Sequence, residues 1–469
     1  MIVPLLSLLL IAVAGIPWVA LLARHGGYVM ATASTVLLGF GATLGTELLT
    51  ALLHLPMLPV ALLLFAVAGA LGITLCLRSR AVLPRRARSA WLPWLPALTG
   101  SLAWFGVVAA GQVVPGAARL AWIMQGDAAN NVLFARTVVA DGGIAVGENP
   151  VPLPAGLLAL TMEFGRGAVG SADLLRHDIS AFAALSVLLI GLCGAVGGLA
   201  AGAVARSVGA SRLTTGAVAM LGSVVPYSWA VTGTTLEFGF FNSHPPLVVL
   251  AAAVVVALGG DRRPALSLAA LTVASTLLLA AWSPLIVIPV ALGFAIVTRS
   301  FRTLISVRGG ALVVLVVGFG QLLAYGLLIV LPGLLAHGEA LAAPGGIYPF
   351  PVVMLPLAIV GVIGLAALSM RGLRAWPARV VMALAVGSGA GLVVLLLASR
   401  GVWNYYQHKF AWLAAVVLVL IAIGLFVPAL ARARVPVGVA IGLCAVFVAG
   451  LVIASPSDAD GARRLHPFA

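Results

Sequence analysis

The chain has 469 residues, 62% of them hydrophobic and only 8% charged, with a mean hydropathy of +1.19. Such a composition excludes a soluble globular domain, and the repeated apolar runs match the ~17–25 residues that an α-helix needs to cross a bilayer. The net charge of +14 rests on 25 arginines and one lysine, Lys409; in so apolar a chain it points to the positive-inside rule rather than to nucleic acid.

The sequence predicts an all-α polytopic membrane protein, a single integral membrane domain over 1–469 with about fourteen transmembrane helices. A β-barrel would show alternating segments of ~10 residues, and none occurs. The run "MIVPLLSLLLIAVAGIPWVALLA" has no basic leader, so it is expected to stay on the chain as a first span, 2–22. Spans follow at 31–52, 57–77 and 91–114, then, after a long polar interruption, at 180–203, 213–232 and 245–259. The stretch 265–298 is cut in two at "WSP", because proline and the residue before it disfavour continued helix. The last spans are expected at 310–331, 351–369, 380–398, 410–430 and 435–453. Cys76, Cys193 and Cys444 all fall in apolar runs without metal-ligand spacing and read as small core residues.

Alternate loops sort the charges. One side collects 18 of the 26 basic residues with a single acid, Asp261; the other holds the remaining 8 and 11 of the 12 acids, counting Glu47 near a helix end. The arginine-rich side is therefore expected in the cytoplasm and the acids outside. Leaving 265–298 unsplit would put Arg299, Arg302 and Arg308 on the wrong side. No G-x-x-x-x-G-K-[ST] phosphate loop occurs, which argues against an ATP-driven motor within the chain.

The external residues carry the candidate chemistry. In the loop 115–179, Asp127 precedes "AANNVLFARTVVA", whose Val132, Ala135, Val138 and Val139 suit an amphipathic helix lying at the interface. "DGG" at 141–143 ends that helix, and prolines at 150, 152 and 154 impose an extended return into a second short helix. Asp127 reads either as a helix cap or as an ionised general base. Asn130 and Asn131 read either as binders of a polar acceptor or as solvated side chains. "TGTTLEFGFFNSHPP" adds Glu237, Asn242 and His244, and "LLAHGEALAAPGGIYPFP" adds His337, Glu339 and Tyr348. "SRGVWNYYQHKFAW" places Arg400, Tyr405, Tyr406, His408 and Lys409 at the mouth of a span, on the side where cations are disfavoured. That cluster suits a lipid phosphate and its sugar, or else an interfacial aromatic belt with a snorkelling lysine.

"QGDAANNVLFARTVVADGG…NPVPLPAGLLAL", with the broken hairpin at "AAWSPLIVIP" and "YYQHK" before a late span, resembles the GT-C class of membrane glycosyltransferases. The likeness covers about 90–430. It implies a helix bundle with amphipathic external-loop helices and a cavity open to the outer leaflet. It implies transfer of a sugar from a polyprenyl-phosphate donor to a glycan or glycolipid acceptor, with Asp127 as catalytic base. Many members of the class carry an Asp-x-Asp pair, which can hold a divalent metal; position 129 here is alanine, so no cofactor is expected, and Lys409, His408 and Arg400, with Tyr405 and Tyr406, are expected at the donor phosphate instead. Asn130, Asn131, Glu237 and His244 are expected at the acceptor or sugar. The arginine-rich, lysine-poor composition is similar to that of high-GC actinobacteria, where such enzymes build the cell envelope, which places the protein in the plasma membrane with its site outside. A transporter or flippase of lipid-linked glycans is the second reading, favoured by the many glycines and by prolines within helices; against it stand the lack of an internal repeat and the scarcity of mid-span charges. A non-catalytic scaffold is the third.

Overall fold

The computed structural model describes residues 2–79, 92–114, 127–144, 148–149, 151–336, 353–370, 375–399, 401 and 403–454. Among them there is no strand. The helices are α1 (Ile2–Leu53), α2 (Met57–Arg78), α3 (Thr99–Val113), α4 (Asp127–Asp141), α5 (Pro152–Glu163), α6 (Leu174–Ser207), α7 (Arg212–Val224), α8 (Thr234–Phe238) and α9 (His244–Leu258). They continue with α10 (Pro264–Trp282), α11 (Val287–Ile305), α12 (Gly310–Tyr325), α13 (Leu331–Ala336), α14 (Met354–Ser369), α15 (Trp376–Ala398), α16 (Tyr405–Arg432) and α17 (Val437–Ile453). Nine helical stretches among the described residues are long and apolar enough to cross a membrane, and three more apolar helices are shorter.

Two folds-back follow the expected punctuation. Within α1, Gly27 takes φ 79°, a conformation that suits glycine, and the halves on either side pack together: a Cβ on Gly15 would meet Thr35, and one on Gly39 would meet Ile11. Between α10 and α11 the helix breaks at Trp282 (φ −166°, ψ 93°), two residues ahead of Pro284, which has no N–H to return to Ala280. The two helices then pack side by side, and Arg299 Nε comes within 3.3 Å of Asp261 Oδ1. The cut at "WSP" therefore puts Arg299 with Asp261, as the charge sorting required.

Two segments differ from expectation. The run 213–232 is not one helix: α7 stops at Val224, Val225–Tyr227 form a tight turn at Pro226, Ser228 is extended, and Trp229–Gly233 form a single π-helical turn. The other is α5, expected flat at the interface; it starts at Pro152 inside the proline run, and all of Pro152–Met162 is buried. Prolines at the first turn cost no hydrogen bond, which is why Pro152 and Pro154 begin the helix instead of holding it extended. By contrast α4 is amphipathic as expected, with Ala128, Asn131, Val132, Ala135 and Val138 buried, although this face rests on protein elements (α5, α6 and the 241–243 turn).

The bundle is centred on α9, apolar on all sides and almost wholly buried, and on α16, which packs on α6, α14, α15 and α17. A helix buried on every face has no need of an amphipathic pattern. The periphery of the bundle, α12 above all, exposes Val313, Val317, Phe319 and Leu323, as helices facing lipid would. Cys193 and Cys444 are buried, Cys76 half-buried, and all three are free.

The polar ends are distinct. At one, Arg24 donates to Ser79 O, Arg299 pairs with Asp261, and Trp376 Nε1 donates to Ala257 O at 3.2 Å. At the other, the Glu163 carboxylate accepts from the Met57 amide at 3.1 Å and from the Leu58 amide, closing the first turn of α2. Asp178 on α6, fully buried, takes Arg136 of α4 and Arg166 of the α5–α6 connection, each at 3.3 Å. This second end carries the loop that holds Asp127.

The turn after α4 leaves no space for a side chain. Gly143 takes φ +124°, and a Cβ there would stand 2.4 Å from the Ala51 Cα of α1. Gly143→Ala is expected to destabilise the protein by ~1–3 kcal/mol, the range for strained backbone positions. Thermal unfolding in detergent should show a lowered midpoint, and an unchanged midpoint would mean that the turn re-routes freely.

Candidate active site

Four elements distant in sequence meet around the Lys409 ammonium. Lys409 lies in the first turns of α16, whose start is fixed by Gln407: its Oε1 accepts from the Asn404 amide at 3.2 Å, and its Nε2 donates to Leu395 O of α15 at 2.9 Å. Asp127 opens α4, Asn242 lies in the tight turn Phe241–Ser243 just before α9, and Trp282 ends α10.

An ammonium has three N–H groups, and here each has an acceptor. Lys409 Nζ donates to Asp127 Oδ2 at 3.0 Å, to Asn242 Oδ1 at 2.7 Å and to Tyr405 Oη at 2.7 Å. Tyr405 Oη in turn donates to Asp127 Oδ2 at 2.8 Å. Aromatic rings complete the enclosure: the Nζ lies 4.7 Å from the centre of Phe240, 5.2 Å from Tyr405 and 5.8 Å from Trp282. Ring quadrupoles add attraction for a desolvated cation. Tyr406 stacks on Trp282 at 5.9 Å and meets Tyr405 edge-on at 5.3 Å.

The ion pair is lopsided. The Lys409 side chain has 0% exposure, whereas that of Asp127 keeps 26%. Burial alone pushes the Asp127 carboxyl upward; the charge of Lys409 and hydrogen bonds from Lys409, Tyr405 and Asn242 reverse this and hold it below the ordinary carboxylate range. Asp127 is thus an ionised, partly accessible carboxylate locked in orientation. Its carboxylate bonds across the fold, so the helix-cap reading does not describe what its side chain does.

The remaining expected residues divide. Tyr405 and Lys409 join Asp127, but Lys409 has no N–H left for a phosphate and no surface to meet one, which corrects its place at the donor phosphate. Tyr406 and His408 stand on the same helix start; His408 Nδ1 lies 2.9 Å from Asn404 O and its ring meets Trp403 edge-on. Asn131 is buried, donates to Asp127 O at 2.6 Å and leaves its Oδ1 without a partner, while Asn130 is exposed. His244 heads α9, fully buried, with neither ring nitrogen partnered, and the adjacent Ser243 Oγ is likewise unpartnered. Arg400, His337, Glu339, Tyr348 and the side chain of Glu237 lie outside the described residues.

A divalent metal does not fit Asp127 as it stands: the same oxygen already faces an ammonium at 3.0 Å, and the position two residues on is Ala129. The residues that sequence reasoning missed are Phe240 and Trp282, and it gave Asn242 no role in pairing. Nothing local marks aromatic rings in so apolar a chain; the sole lysine on the unfavoured side was the available signal.

Fold and site together define a polytopic α-helical membrane protein with a buried ion pair at one end of its bundle. No protein-family model, curated protein or solved structure matches the chain.

Removing one partner of a buried pair leaves an uncompensated charge and costs ~3–5 kcal/mol. Lys409→Met and Asp127→Asn are each expected to lower the unfolding midpoint in detergent, and Asp127→Asn combined with Lys409→Met should recover most of the loss; simple additivity of the two would show that the pair is not coupled. Because the folded carboxyl of Asp127 is depressed, its stabilisation is fully present above the ordinary carboxylate range and lost as pH falls through the folded value. Acid titration of the midpoint should show that loss in the wild type, reduced in the double variant.

Proposed function

We propose that the protein is a membrane glycosyltransferase of GT-C type. It moves a sugar from a polyprenyl-phosphate donor to a cell-envelope glycan or glycolipid acceptor on the external face of the plasma membrane. The observation that carries the reading is Asp127: an ionised carboxylate, partly open, held rigidly by Lys409 and Tyr405 at the end of the bundle opposite the arginine-rich loops. With the fourteen crossings expected from the sequence, the sorting of charges would leave both termini and this end outside.

In this reaction the acceptor hydroxyl attacks the anomeric carbon from the face opposite the phosphate. The new C–O bond forms as the bond to the phosphate oxygen breaks, and that bond's electron pair leaves with the polyprenyl phosphate. The hydroxyl proton passes to Asp127. A carboxylate held below its ordinary range is a weak base, so it takes the proton late, when bond formation has made the hydroxyl acidic. Lys409 is a positioning residue: it fixes the Asp127 carboxylate and keeps it charged. Neutralising the donor phosphate then falls to His408 and Arg400, and Tyr406 and Trp282 present a stacked aromatic face for the sugar. Asn131, His244 and Glu237 are the acceptor-side groups of the proposal.

The test uses purified protein in proteoliposomes with polyprenyl-phosphosugars and a glycan acceptor. Wild type should form a covalent product with inverted anomeric configuration. Asp127→Asn combined with Lys409→Met, which removes the base without stranding a charge, should stay folded and lose at least ~100-fold in rate, the lower range for a general base. Transfer retained by that folded double variant would end the assignment, and donor counter-flow without any product would favour the flippase.

A further inference from the structure

Glu47 lies on the second half of α1, within the stretch Gly27–Leu53 that is long and apolar enough to span, and it is 1% exposed. Among the described residues no ion pair includes it. Its Oε1 accepts from Asn149 Nδ2 at 2.9 Å, while Oε2 is buried without a partner. Thr50 Oγ1, three residues on along the same side of the helix, is also buried and unpartnered. The place is built for this side chain. A Cβ on Gly156 of α5 would stand 3.0 Å from Glu47 Cβ and 3.1 Å from its Cγ, so a side chain at 156 would press on the Glu47 stem.

The other titratable groups on helices packed around this part of α1 are bound elsewhere, exposed, or without a partner. Asp127 is bound to Lys409, Asp178 to two arginines, and Glu163 to the α2 amides. Asp141 is exposed at the end of α4, and His244 heads α9 without a partner for its ring. Tyr325 of α12 lines a cavity of about 300 Å³ between α1, α10 and α12, together with Gly41, Leu44, Leu48, Thr276 and Gln321.

A buried carboxylate needs a cation or several N–H donors, because desolvating its charge costs several kcal/mol; one amide hydrogen bond does not offset that. A proton removes the charge and gives Oε2 a hydrogen to donate. Ionisable groups inside a membrane span mark proton or ion sites by default. We propose that Glu47 is a proton-binding site in the membrane-spanning part of the protein, held as the neutral acid with Asn149 donating to its Oε1. This assignment stands independently of the sugar-transfer reading.

Infrared difference spectra of the full chain in lipid nanodiscs, wild type minus Glu47→Gln at neutral pH, should show a carboxylic-acid C=O band that belongs to Glu47. The band should give way to carboxylate bands on alkaline titration. A second measurement needs no variant: a hydrophobic carbodiimide, which reacts with protonated carboxyls, should modify Glu47 in the wild type at neutral pH and do so at least ~10-fold more slowly at alkaline pH, as read by peptide mass. Carboxylate bands alone at neutral pH would overturn the proposal, as would carbodiimide labelling that spares Glu47.

Discussion

A lysine with no exposed surface governs this end of the molecule. Its three N–H groups must each find an acceptor, and an unmet one would cost more than an ordinary lost hydrogen bond because the group is charged. The acceptors come from α4, from the turn ahead of α9 and from α16 itself. Those elements are therefore tied to one point by a requirement that no single helix could meet alone. The Asp127 carboxylate inherits that rigidity: two of its contacts converge on a single oxygen, and the side chain cannot turn without stranding the ammonium.

The helical skeleton was legible because it rests on hydrophobicity summed over a span and on strong local breakers. Gly27 and Pro284 mark the two turns that set helix direction, and the sorting of arginines agreed with the later pairing of Arg299 with Asp261. What was not legible is what depends on depth and on distant partners. Burial of α5 cannot be read from its own residues, since an apolar helix at an interface and one in a core look alike. The break in 213–232 turns on how Pro226 and Ser228 are accommodated by neighbours, and Trp412 Nε1 donating to Ala230 O shows one such neighbour.

The site was half legible for the same reason. Asp127 and Lys409 stand 282 positions apart and Asn242 stands 167 from Lys409, so no local pattern couples them. Two oddities of placement drew attention to these residues: polar residues inside an apolar chain, and one lysine on the side where cations are rare. Those oddities named the participants and misjudged the lysine's task. A snorkelling lysine reaches for phosphate; this one is turned inward to a carboxylate.

Close in sequence to the groups that hold Lys409, Asn131 Oδ1, Ser243 Oγ and both nitrogens of His244 are buried without partners among the described residues. Each such group costs ~1–3 kcal/mol in the folded protein, a cost that the fold itself does not recover. The backbone between Val225 and Ser243, with its π-helical turn and tight turns, is likewise irregular, and inside a membrane protein such backbone is tolerated where protein or a polar cavity surrounds it. A hydroxyl-bearing ligand would meet Asp127 through its exposed part, while Lys409 stays buried behind it. In the proposed reaction the two regions thus divide the work: Lys409 fixes the base, and the unpartnered groups beside it recognise what the base acts on.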